Sequence, residues 1–156
     1  MCGKSTIFNN LTRNEAAYWK LATEKLLKIA VGICKYKNKS FLLVDIPGTY
    51  SIMSNSEEEE IARDYICFEN PNATIVVLDA TCIEKNLNLV YQVMEITPNV
   101  IVCVNLLDEA RKKNISIDLK LLEEKLGVPV VGTIAKKKKT LKKLTEKIDE
   151  ISCRKN

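Results

Sequence analysis

Histidine is absent from the 156 residues, and none of the six cysteines stands in a C-x-x-C pair. A zinc site therefore has no obvious ligand set. Cys2, Cys34, Cys67, Cys82, Cys103 and Cys153 are expected as free thiols of a reducing cytosol. Cys34 and Cys103 lie in apolar runs and should pack as small core hydrophobes. No apolar run approaches the ~20 residues that cross a bilayer, and the amino terminus has no signal-peptide core. Internal repeats and linkers are also missing, so residues 1–156 are expected to form one soluble, cytoplasmic domain with an ordinary core. The net charge of +4 is mild and concentrated from Lys136 onward. No aromatics interleave with Lys136 to Lys139, so a solvated face is the default and no nucleic acid is expected. An RNA-associated role would rest on these lysines alone and would show steep salt dependence.

The sequence does contain an alternation of strand and helix signals. Ile29 to Lys37 and Ser40 to Asp45 flank Asn38-Lys39 as a hairpin. Ser56 and Glu59 form a capping box for a helix over Glu57 to Phe68, with four glutamates at its positive end. Ala73 to Asp79 and Asn99 to Asn105 are apolar enough for strands buried on both faces. Helices follow over Glu84 to Ile96 and Asp118 to Leu126, the latter capped by Gly127. Val128 to Val131 is a short strand, and Thr140 to Ile151 a basic amphipathic helix. The order implies an α/β fold with a doubly wound, mostly parallel sheet flanked by helices.

Four loops in a fixed order carry the chemistry. Cys2-Gly3-Lys4-Ser5-Thr6 matches the second half of a phosphate-binding G-x-x-x-x-G-K-[ST] loop; the first glycine and its strand would fall ahead of Met1. Backbone amides there wrap phosphate, Lys4 reaches the β and γ oxygens, and Ser5 holds Mg²⁺. Alone, the tripeptide is as readily a plain helix start. Asp45-Ile46-Pro47-Gly48 can be a type II turn, or it can place Asp45 behind Mg²⁺ and the Gly48 N–H on the γ-phosphate. Asn105-Leu106-Leu107-Asp108 ends a strand where α/β sheets take ligands. There Asp108 can accept two hydrogen bonds that guanine offers and adenine does not, or simply cap a helix. Thr133-Ile134-Ala135 would then bring the Ala135 N–H to the guanine oxygen. Together the loops describe a GTP/GDP site on a P-loop, small-GTPase-like fold whose first strand is missing from the chain.

Several stretches resemble one family. Val44-Asp45-Ile46-Pro47-Gly48-Thr49-Tyr50-Ser51, Ser56-Glu57-Glu58-Glu59, Leu78-Asp79-Ala80-Thr81 and Asn105-Leu106-Leu107-Asp108-Glu109-Ala110 look like the cytosolic G domain of FeoB, the bacterial ferrous iron transporter. The resemblance implies a slowly hydrolysing GTPase at the cytosolic face of the inner membrane, with the transporter's membrane permease domain as its partner. In that family a first switch loop supplies a Thr to Mg²⁺. Here Trp19 and Thr23 keep the spacing without the intervening Pro-Gly, so Thr23 joins Lys4 and Gly48 as a catalytic candidate and Ser5 and Asp45 as a metal candidate. The family's potassium-binding asparagine is replaced by Met1, so K⁺ activation is expected only in a form extended upstream, which should also bind and hydrolyse GTP better. Thr49 stands where many GTPases place a water-orienting glutamine, which implies slow hydrolysis. A non-catalytic nucleotide-binding or interaction module of the same fold is the alternative.

Overall fold

Among the described residues the strands form two three-stranded sheets. The computed structural model describes residues 2–13, 17–18, 29–53 and 55–154. The first sheet has the order β1-β2-β3, with β1 (Ala17–Tyr18), β2 (Ala30–Tyr36) and β3 (Lys39–Asp45) all antiparallel. The second has the order β4-β5-β6, with β4 (Thr74–Asp79), β5 (Val100–Asn105) and β6 (Val130–Gly132) all parallel.

The β2–β3 hairpin turns at Lys37-Asn38, one residue earlier than the sequence suggests, because Tyr36 pairs with Lys39. Lys37 takes φ 52°, the left-handed conformation that tight two-residue hairpins demand.

Six helices surround the sheets among the described residues: α1 (Lys4–Leu11), α2 (Glu57–Phe68), α3 (Ile83–Ile96), α4 (Leu107–Lys112), α5 (Leu119–Leu126) and α6 (Lys138–Arg154). The expected cap of α2 forms: Ser56 Oγ accepts from the Glu59 amide at 3.3 Å, and Glu57 to Glu60 occupy the first turn. Asp118 caps α5 by accepting from the Leu121 amide at 3.0 Å, and Gly127 ends it at φ 72°.

The core is double-layered, as a doubly wound sheet requires. Val76, Leu78, Val102 and Val104 pack on one face with Ala62 and Ile66 of α2 and Val90 and Val93 of α3. Ile101 and Cys103 pack on the other with Ile7 of α1 and Leu144 and Ile148 of α6. Every residue of β5 is buried, as its apolar run predicts. β4 departs from that expectation: Val76 and Leu78 are buried but Thr74, Ile75, Val77 and Asp79 are only partly so. Among the described residues β5 is flanked by strands on both sides, whereas β4 has a neighbour on one side only.

Cys34 and Cys103 are core residues, and burial pushes the Cys103 thiol up to about 11. Cys67 and Cys153 are exposed. A brief maleimide pulse on native protein should modify the exposed Cys67 and Cys153 first, with Cys103 far slower because burial both raises its thiol and denies the reagent access. Mass spectrometry of the digest reads this directly. Equal labelling of Cys103 and Cys67 would contradict the packing described.

Candidate functional site

Three loop ends meet at the carboxyl edge of the second sheet, and Asn105 joins two of them. It is the last residue of β5 and fully buried. Its Nδ2 donates to the Cys2 carbonyl at 3.0 Å, and its Oδ1 accepts from Thr133 Oγ1 at 3.0 Å. Thr133 is itself fixed, its amide donating to the Val104 carbonyl at 2.8 Å and its hydroxyl lying 3.2 Å from Cys103 Sγ. A buried amide with both ends paired costs about 1–3 kcal/mol to leave unsatisfied, so it holds these loops firmly.

The turn that Asn105 grips starts α1. Gly3 takes φ 79°, ψ 20°, and a Cβ there would lie 2.5 Å from Asn105 Nδ2. Only glycine combines that backbone with that approach. The first intrahelical bond runs from the Ile7 amide to the Gly3 carbonyl at 3.1 Å, so the amides of Lys4, Ser5 and Thr6 stay outside the helical ladder. No side chain caps this end. Ser5 and Thr6 are exposed, and the orphan amides together with the helix dipole favour an anion.

Lys4 crosses from this turn to the end of β3, where its Nζ donates to Asp45 Oδ1 and to the Ile46 carbonyl. One ammonium thus joins the start of α1 to the end of β3. Gly48 follows without a positive φ, so the type II turn is not adopted there. Nothing lies within 4 Å of where its Cβ would be, which leaves open space beside its backbone. The chain after it is anchored by Ile52, which is buried and whose amide donates to Gln92 Oε1 at 2.8 Å.

Leu106 takes φ 64°, ψ 35° between β5 and α4, an uncommon conformation for a residue with a branched side chain. It, not Asp108, is the helix N-cap residue, which corrects the capping alternative for Asp108. Asp108 sits in the first turn of α4 and has no hydrogen bond or ion pair with the described residues. The Ala135 carbonyl accepts from Asn10 Nδ2 at 2.7 Å. Thr140 clamps the same loop: its hydroxyl accepts from the Ile134 amide and donates to the Lys137 carbonyl, at 3.0 and 2.7 Å.

Asn10 and Thr140 have no motif of their own. An asparagine on the exposed side of α1 carries no local signal of a partner so distant in sequence. Asp79, at the end of β4, is likewise organised. Its burial would raise the carboxyl, but the Thr81 hydroxyl and amide, at 2.7 and 2.8 Å, outweigh this and hold it below the usual range. Thr23 lies outside the described residues. Gly3, Lys4, Asp45, Asn105 and Thr133 are therefore linked by direct contacts, while Asp108 and Ala135 flank the same edge.

The model of the family "Ferrous iron transport protein B" matches residues 1–148. A Campylobacter jejuni Fe(2+) transporter FeoB is 34% identical over 148 residues, covering 94% of this chain and 24% of that protein. The chain thus spans about a quarter of that relative's length. Among solved structures, the FeoB G domain from Methanococcus jannaschii is 40% identical with a TM-score of 0.83, covering 97% of this chain and 90% of that one. The cytosolic domain of the T. maritima FeoB iron transporter in a GDP form is 34% identical with a TM-score of 0.92, covering 97% and 59%.

Proposed function

The chain belongs to the ferrous iron transport protein B family, and from that membership and the geometry of the loop cluster we propose that it is a guanine-nucleotide-binding domain that hydrolyses GTP slowly and regulates ferrous iron transport by a membrane permease domain. The observation that carries this is the Asn105 junction, which fixes an anion-binding turn and the Thr133 loop around one sheet edge, with the Asp108 carboxylate beside them making no hydrogen bond among the described residues. The T. maritima relative in its GDP form supports the choice of ligand.

Each residue then has a task. Amides of Lys4, Ser5 and Thr6 hold phosphate oxygens, and the Lys4 ammonium exchanges Asp45 for the β and γ oxygens. The Ser5 hydroxyl and Asp45 would hold Mg²⁺, a cation that uses few protein ligands alongside phosphate. Thr23 would complete that shell. The Gly48 amide meets the γ-phosphate through the open space beside it. Asp108 accepts from the guanine N–H and NH₂ groups, and the Ala135 amide, with its carbonyl tied back by Asn10, donates to the guanine oxygen. Thr49 donates its hydroxyl to the Ser51 carbonyl, which turns it away from orienting water and keeps turnover slow.

A non-catalytic module of the same fold is favoured by one feature, namely that Lys4 already has two partners of its own. Phosphate release separates the two: the proposal expects slow GTP turnover abolished by Lys4→Ala, and no release above the Lys4→Ala background would establish the module.

Leu106 occupies the place where a lysine stem would pack over the base. GDP should therefore leave quickly, and Leu106→Lys should slow its release by about tenfold, the worth of one added charge-assisted contact. Stopped-flow displacement of a fluorescent GDP measures it; an unchanged rate would count against the assigned base position.

A further inference from the structure

A basic cleft of about 1010 Å³ opens between α1, β2 and the start of α6. α1 presents Thr6, Asn9, Asn10 and Arg13 to it, at the spacing of one helix face and opposite the face that carries Lys4, Ile7 and Phe8. The walls converge on Cys34 of β2, which is buried. Burial raises its thiol, while the Thr145 hydroxyl of α6 and the Arg13 charge at the end of α1 oppose this, so both helices lie within reach of the floor. The two are also tied at the loop ahead of α6, where Asn10 Nδ2 donates to the Ala135 carbonyl at 2.7 Å. The cleft is therefore preformed.

Five exposed cations line it: Arg13, Lys35, Lys136, Lys138 and Lys142. Among the described residues no Asp or Glu lines the cleft, and none of these five side chains forms an ion pair. The whole chain carries a net charge of only +4, so this is a local excess. Like charges held together repel and destabilise the fold, a cost that an anionic ligand removes. Arg13 adds a backbone cost of its own, since it takes φ 53° just past α1, where helices usually place glycine.

We propose that this cleft binds an acidic peptide segment in extended form, with carboxylates at alternate positions and apolar side chains between them. Lys138 and Lys142 stand about 6 Å apart along α6, close to the ~6.6 Å between alternate residues of an extended chain. Consecutive carboxylates thus meet consecutive lysines, with Lys35 and Arg13 across the cleft. The intervening side chains meet Cys34 and Leu141, which are buried and apolar. A planar bilayer cannot follow a concave floor. The one aromatic on the described lining, Tyr36, has Lys37 over its ring at 5.2 Å, which leaves little for a nucleobase to stack on. Occupancy is independent of the nucleotide reading, since the readouts involve no nucleotide and the variants spare Thr6, Ala135 and Lys136.

The test is anisotropy of a rhodamine-labelled Gly-Glu-Leu-Glu-Leu-Glu-Gly peptide with the 156-residue chain at about 50 mM salt. The double variant Lys35→Glu, Lys142→Glu should bind at least ~tenfold more weakly. Lys113→Glu with Lys120→Glu makes the same charge change on exposed residues outside the cleft lining, and should leave affinity within about twofold. A peptide with Gln in place of each Glu should not bind. No binding up to millimolar peptide would overturn the proposal. So would equal loss in the two double variants, which reports bulk charge, or equal binding of the Gln peptide, which reports apolar adhesion. Co-sedimentation with phosphatidylglycerol vesicles, lost in the cleft variant while the peptide goes unbound, would assign the face to a membrane and overturn the committed occupant.

Discussion

Gly3→Ala is expected to lose guanine-nucleotide binding by on the order of 10²-fold or more while the chain also becomes less stable. Two costs add. An L-residue in the left-handed region costs about 1–2 kcal/mol. The new Cβ would also sit 2.5 Å from Asn105 Nδ2, and Asn105 cannot swing aside because it is buried and bonded at both ends. Displacing it leaves a buried amide unpaired for about a further 1–3 kcal/mol. Gly48→Ala is the matched control: that position has no positive φ and open space where a Cβ would go, so stability should be unchanged. Chemical denaturation and nucleotide titration of both variants check this. Gly3→Ala binding with parental affinity would mean that the α1 turn does not hold the phosphates.

Asp108→Asn is the second large effect. The carboxylate makes no hydrogen bond with the described residues and feels only the nearby Lys112 charge, so it can give both oxygens to a base. Replacing it with an amide turns one acceptor into a donor that faces the guanine NH₂. Two hydrogen bonds to a charged group are worth about 3–4 kcal/mol together, so GTP affinity should fall on the order of 10²–10³-fold. Xanthine nucleotides, which carry an oxygen where guanine carries the amine, should gain. Competition between GTP and XTP for the variant reads the exchange. A uniform loss for both bases would mark Asp108 as a structural residue of α4.

The residues of the candidate site are legible at its edges, and their connections are not. Lys4, Asp45, Asn105 and Ala135 stand out because each follows an apolar run or opens a helix, where α/β sheets place ligands. β5 is readable for the same reason, being buried along its whole length. The Asn10 bond to Ala135 and the Asn105 bond to Cys2 are not readable, since each spans over a hundred residues and neither partner has a distinctive neighbour. The short helix α4 and the left-handed Leu106 carry no sequence signal either. Six residues of mixed polarity give no period to detect, and leucine is not a residue that announces a positive φ. The hairpin turns one residue earlier than its sequence suggests because Lys37-Asn38-Lys39 offers two equivalent placements, and only pairing of Tyr36 with Lys39 decides between them. The partial burial of β4 is not readable, because an apolar run cannot say how many neighbours its strand has.

The central claim is that this loop cluster recognises guanine. Direct calorimetric titration of the 156-residue chain with GDP and with ADP, under identical Mg²⁺ and salt, tests it most simply. The account predicts that GDP binds at least ~10²-fold more tightly than ADP, because adenine has no pair of donors for Asp108. Equal affinity for the two, or binding of ADP alone, would contradict it.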